Sequence, residues 1–140
     1  MASIRSYQKN KKNKKYFSTL LTKYAVVRHW FWTIITGAEI HLNCSVGGGL
    51  LITHPNGIVI HPKAKIGVNC LIFQQVTIGS RNGGVPVIGG NVDIGAGAKI
   101  LGNISIGNHV KIGANAVVIH DVEDYCVCAG VPARVVGHTH

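Results

Sequence analysis

The sequence predicts an all-β fold: a parallel solenoid built from six-residue steps, entered through a short α-helix. Three observations carry that expectation. Branched aliphatic residues recur every six positions from Ile40 to Val118, Gly or Asn stands near each step, and apolar residues before Gly37 recur at helical spacings.

Residues 1–15 read as a polar, basic arm. Its run Lys9-Asn10-Lys11-Lys12-Asn13-Lys14-Lys15 holds part of a formal net charge of +9. Such a run is ordinarily a solvated, mobile arm, and the alternatives are an anionic membrane surface or a polyanionic substrate. No recognition motif or aromatic ladder accompanies the charge, so nucleic acid is not expected as a partner.

From Tyr16 to about Ile35 the spacing of Leu20, Leu21, Tyr24, Val27, Phe31 and Ile34 predicts a helix, which Gly37 ends. Trp30, Phe31 and Trp32 are expected to pack over the open end of the core. A basic arm joined to a Trp-bearing amphipathic helix is also the composition of an interfacial anchor. The chain therefore divides into a basic arm and helix (1–38) and a solenoid domain with a C-terminal tail (39–140).

In the solenoid, Ile40, Val46, Ile52 and Ile58 are six apart. Ile60, Ile66, Ile72 and Ile78 follow in a frame shifted by two, then Ile88, Ile94, Ile100, Ile106, Ile112 and Val118. A second apolar position lies four after the first, at Ala64, Cys70, Val76, Val92, Ala98, Ile104, Val110 and Ala116. Gly67, Gly79, Gly89, Gly95, Gly107 and Gly113 follow the key residue. Three such steps close one coil, the aliphatic residues stack into a narrow core, and Gly and Asn take the strained angles of the bends. The ends need caps, supplied by the helix and the tail. The rhythm breaks between Ile78 and Ile88, where Ser80 to Val87 form a loop suited to a pocket wall.

Hydrophobic residues make up 46% of the chain and charged residues 14%, which excludes a disordered chain. Cys44, Cys70, Cys126 and Cys128 form no CxxC pair and are read as reduced thiols in a cytoplasmic protein. No secretory signal and no membrane-spanning run is expected.

Tandem [LIV]-G-x-x-[AV]-x steps ending in Ala129-Gly130-Val131-Pro132-Ala133-Arg134 resemble the hexapeptide-repeat acyltransferases. The resemblance covers about residues 35–137, on the serine acetyltransferase-like branch that includes capsule and exopolysaccharide O-acetyltransferases. Its most specific segments are Gly37–His41, Thr53–Ile60 and Ile94–Gly102. The resemblance implies a left-handed parallel β-helix, a homotrimer with active sites between subunits, and acetyl-CoA as co-substrate without a metal.

It also implies roles. His54 matches the catalytic position, where a neutral imidazole can take the acceptor's hydroxyl proton. Ala96 and Ala114 match backbone contacts to the pantetheine arm. Ile119 and His120 align with a CoA-contacting Thr-Lys dipeptide, and Arg134 with an Arg placed for the nucleotide phosphates. Serine-specific members carry Asp where Thr53 stands and an Arg-His pair where Gly84 and Val85 stand. Losing both argues for a neutral acceptor, a sugar of surface polysaccharide, bordered by Thr53, Asn56, Gln75 and Arg81, with Gln74 a further candidate. The alternatives are a serine O-acetyltransferase, a non-catalytic trimeric scaffold, and a zinc enzyme that would use His54 and His61. The remaining histidines are weaker: His41 is expected to pack, and His138 and His140 to lie in a mobile tail. The N-terminal helix leaves room for peripheral contact with the inner face of a membrane.

Overall fold

The computed structural model describes residues 2–11 and 16–139. It opens with two packed helices, α1 (Ala2–Lys11) and α2 (Tyr16–Thr36). Most of the expected basic arm is therefore helix α1, and Lys12 to Lys15 lie outside the described residues. Ile4 anchors α1 at 3% exposure, and Gln8 Nε2 donates to the carbonyls of Leu42 (3.2 Å) and Cys44 (2.9 Å). These bonds satisfy backbone acceptors on the first turn of the solenoid.

α2 stops as its sequence predicts. Gly37 adopts φ 62°, and its N–H bonds to Thr33 O at 2.9 Å, a left-handed stop that glycine accommodates without strain. Its facing corrects the sequence reading. Ala25 is buried, whereas Leu20, Tyr24, Val27, Phe31 and Ile34 are exposed, as are Trp30, Phe31 and Trp32. The aromatic cluster does not close the core. Half-buried Thr33 and Thr36 line the inner side, with hydroxyls bonded to His29 O and Trp32 O.

The solenoid winds about four turns. Its strands are β1 (Glu39–Ile40), β2 (Ser45–Val46) and β3 (Leu51–Ile52), then β4 (Val59–Ile60), β5 (Lys65–Ile66) and β6 (Leu71–Ile72). They continue with β7 (Thr77–Gly79), β8 (Val87–Ile88), β9 (Asp93–Ile94), β10 (Lys99–Leu101), β11 (Ser105–Ile106), β12 (Lys111–Ile112) and β13 (Val117–Val118). β14 (Cys126–Gly130) and β15 (Ala133–His138) end the chain. From β1 to β13 every third strand stacks in parallel. Face A is β1-β4-β7-β10-β13, face B is β2-β5-β8-β11, and face C is β3-β6-β9-β12-β14-β15.

The register puts the six-residue key positions in columns. Ile40, Ile60, Ile78, Ile100 and Val118 stack in face A. Val46, Ile66, Ile88 and Ile106 stack in face B. Ile52, Ile72, Ile94 and Ile112 stack in face C. Ile72, Ile78, Ile94 and Ile100 are all 0% exposed, each contributing about 1.5–3 kcal/mol of apolar burial. Cys44, Cys70, Cys126 and Cys128 are buried free thiols.

Two details differ from the sequence reading. Ile58 is not a key position. Its carbonyl accepts from Glu39 N (2.7 Å), as Val76 O accepts from Val59 N (2.9 Å), so it belongs with the second apolar column. The two-residue slip thus lies before Ile58. The glycines after the key residues also serve a different purpose. Gly67, Gly89, Gly95 and Gly107 do not have positive φ, but a Cβ on any of them would overlap the backbone or a side chain one turn on. Close stacking demands them, and the left-handed bend positions fall to Asn69, Gln75, Asn91, His109, Asn115 and Tyr125 and to other glycines, Gly49, Gly57 and Gly97.

β14 and β15 pair antiparallel and close the far edge of face C. His138 pairs with Cys126 there, so this part of the tail is a strand and not a mobile end, while His140 lies outside the described residues. His41 is exposed rather than packed, its Nδ1 accepting from Asn43 N at 3.3 Å.

Candidate active site

The edge joining face C to face A brings together most of the predicted site residues. Its bends are Asn56-Gly57, Gln74-Gln75, Ala96-Gly97 and Ala114-Asn115, stacked turn upon turn. Gln75 N bonds to Asn56 O (2.9 Å), Gly97 N to Gln74 O (2.9 Å) and Asn115 N to Ala96 O (2.8 Å). Gly57, Gln75, Gly97 and Asn115 all have φ between 57° and 73°. Neighbouring turns are about 4.8 Å apart, so Ala96 stands about 10 Å and Ala114 about 14 Å along the edge from the His54 bend.

His54 owes its position to the slip. Eight residues run from Ile52 to Ile60, against six from Ile72 to Ile78. The extra two belong to the Thr53-His54-Pro55 stretch, which pushes the bend out of the prism. Thr53, His54 and Asn56 are exposed there, and Pro55 is half-buried. Among the described residues nothing hydrogen-bonds the His54 ring, which leaves both nitrogens open to ligand.

Gln74 is one turn along the same edge. Its Oε1 is buried with no hydrogen-bond partner. A buried acceptor left unpaired costs about 1–3 kcal/mol. Gln75 is exposed, and its carbonyl accepts from Lys99 Nζ at 2.8 Å. Ala96 is half-buried and Ala114 exposed, and these small side chains leave backbone accessible to a slender ligand.

The other predicted residues lie elsewhere. Ile119 and His120 follow β13 on the A–B edge. The Ser80–Val87 loop leaves from the same edge. Arg81 and Gly84 bridge across a tight turn whose central Asn82 and Gly83 have φ 52° and 78°. Arg81 is exposed and its Cβ lies against Gly102, while a Cβ at Gly84 would overlap Asn103. Arg134 lies exposed on β15 of face C, its Nη1 donating to Ala133 O at 3.2 Å. Face A is about four residues wide, roughly 13 Å. Face A thus separates the backbone of the His54 bend from that of the Arg81 loop.

His61 shares the A–B edge with Arg81, its Nδ1 accepting from Lys63 N at 3.2 Å. It does not converge with His54, and among the described residues no group of three or more His, Cys, Asp or Glu could hold a metal ion. Glu39 is the sole acid of the first two turns and is exposed on β1 beside β4.

Comparison with known proteins agrees with the fold. Residues 86–120 match the family described as bacterial transferase hexapeptide (six repeats). A serine acetyltransferase of Synechococcus elongatus is 46% identical over 107 residues, 74% of this chain and 44% of that one. One from Mycobacterium tuberculosis is 38% identical over 130 residues, 79% and 57% of the two chains. The crystal structure of serine acetyltransferase from Brucella abortus superposes with a TM-score of 0.79 at 36% identity, covering 98% of this chain and 55% of that chain. A serine acetyltransferase in complex with CoA superposes with a TM-score of 0.78 at 36% identity, covering 96% and 55%. This chain spans about half the length of these relatives. Superposition at this level requires a common coil hand, the left-handed one.

Proposed function

We propose that this chain, which belongs to the hexapeptide-repeat transferases on their serine acetyltransferase-like branch, moves the acetyl group of acetyl-CoA to an acceptor hydroxyl. His54 is the general base. The observation that carries the reading is the C–A edge, a column of stacked bends, two of them led by alanine, ending at an exposed, unbonded imidazole. A pantetheine arm laid along Ala114 and Ala96 brings its thioester end toward His54. The imidazole takes the hydroxyl proton as the oxygen attacks the thioester carbonyl. The tetrahedral adduct then expels the CoA thiolate, which receives the proton. Arg134, Ile119 and His120 are the candidates for the nucleotide end, and Gln74 Oε1 is an acceptor ready for an N–H or O–H donor in the groove.

The separation of the two edges supports a homotrimer. A second copy presenting its A–B edge to the first copy's C–A edge would bring Arg81 toward His54 from across the interface.

Free serine is the acceptor that the relatives support, and the sugar expected from sequence takes second place. The second reading keeps one structural argument. Gly84, where serine-specific members carry a cation, cannot accept a side chain without moving Asn103, so that cation is not easily restored. Arg81 in the same loop is the available substitute. Purified protein, acetyl-CoA and either serine or a panel of monosaccharides, followed by thiol release, separates the two acceptors. Release that depends on neither, or that survives His54→Ala at the wild-type rate, overturns the proposal. The expected loss for His54→Ala is roughly 10²–10⁴-fold with the fold intact.

A further inference from the structure

We propose that α2 docks the protein on an anionic phospholipid bilayer. The helix faces outward with its apolar side. Leu20, Tyr24, Val27 and Ile34 are 61–64% exposed, and Trp30 and Trp32 flank that stripe at 65% and 53%. An exposed apolar surface of this size marks an interaction site. Tyr and Trp suit the boundary between headgroups and acyl chains, where one end of the ring is apolar and the other wet.

Charge selects the occupant. Of the 14 Lys and Arg residues, eight lie within 1–38, and none of the 5 Asp and Glu residues does. The solenoid holds the other six cations and all five acids, a balance of +1. Residues 1–38 thus carry +8 of the net +9 in the same stretch of sequence as the exposed apolar helix, the pairing that binds an anionic lipid surface. No helix among the described residues is long and apolar enough to cross a membrane, so α2 would lie in the interface. A second copy fits less well. Its α2 would bring the same cations together, and the apolar girth, from Val26 and Trp30 on one side to Leu21 and Trp32 on the other, exceeds a coiled-coil seam. Beneath α2 a cavity of about 500 Å³ lies against Leu50, Leu51 and Ile52.

The inference does not depend on acetyl transfer, and its test uses none. Both Trp residues of the chain lie in α2, so their emission reports on this surface alone. The full chain is mixed with vesicles of phosphatidylcholine, with or without phosphatidylglycerol, at low and high salt. Cosedimentation with the phosphatidylglycerol vesicles, a blue-shifted emission, and reversal at about 1 M salt are expected. Lys23→Glu should weaken this binding roughly tenfold or more. Phe31→Ser with Ile34→Ser should abolish the blue shift without lowering the unfolding midpoint, because both residues are exposed. Equal binding to neutral vesicles overturns the proposal, as does unchanged binding by the double variant. An emission already blue without vesicles and unmoved by them also overturns it, and assigns the surface to a second copy.

Discussion

Replacing Gln74 by Leu separates a structural from a ligand-binding role for this residue. In the free protein Gln74 Oε1 is buried without a hydrogen-bond partner, one turn from the His54 bend. Leu has nearly the same volume and no polar atom, so the packing cost is below about 1.5 kcal/mol. Relief of the unpaired acceptor is worth about 1–3 kcal/mol. The net expectation is a gain of about 1 kcal/mol in stability, read as a higher urea midpoint at unchanged m-value. If the same oxygen receives a donor from substrate, the variant forfeits a neutral hydrogen bond of about 0.5–1.5 kcal/mol. That predicts a KM raised roughly 3- to 10-fold with kcat nearly unchanged. A stabilised variant with wild-type KM would refute the ligand role. A variant destabilised by more than about 1 kcal/mol would refute the premise that the oxygen is unpaired.

Three further outcomes follow from the coil and its entrance. Gly67→Ala should cost about 1–3 kcal/mol, because the new methyl meets the carbonyl of Gly89 and lies 2.7 Å from Gly90 N. Gly48→Ala, with nothing within 4 Å of its Cβ, should stay within about 0.5 kcal/mol by the same denaturation assay. His29 titrates below its ordinary value of 6.5, chiefly because burial disfavours the cation. The folded state then binds fewer protons than the unfolded one, so the His29 contribution is present above pH 6.5 and lost as pH falls toward the folded value. Unfolding midpoints should drop between about pH 7 and pH 5, and by less in His29→Gln. Burial also raises the thiols of Cys44, Cys70 and Cys128, so a thiolate-selective reagent should label them only as the chain unfolds, which timed labelling in urea would show.

The solenoid was legible because its code is local. Ile66, Ile72 and Ile78 each report the same six-residue step, and the stacked register follows once three steps close a turn. His54 is a candidate through the motif around it and not through any single property, since an exposed imidazole at a bend is ordinary. Gln74 and Gln75 were both candidates, and the sequence did not separate them. Adjacent glutamines look alike in sequence, and only the bend geometry buries the oxygen of one while leaving the other exposed. The role of Gly67 and its equivalents was misread for a related reason. Crowding between successive turns is a contact across about 20 residues, which no local pattern encodes.

The sequence by itself determined the coil, the helix and its glycine stop, the loop and the burial of Cys44 and Cys70, because periodicity and turn chemistry act over a few residues. The tertiary structure alone decided three other things. It set which side of α2 faces the coil, because a periodic stripe specifies a direction but not a partner. It set where the slip falls, because only the register distinguishes Ile58 from Ile60. It also divided the predicted site between two edges, with His54, Gln74, Ala96 and Ala114 on one and Arg81, Ile119 and His120 on the other. Residues close in sequence are separated by the width of a face, and residues a full turn apart become neighbours. In a solenoid the stacking, and not the order of residues along the chain, selects which side chains can meet one substrate.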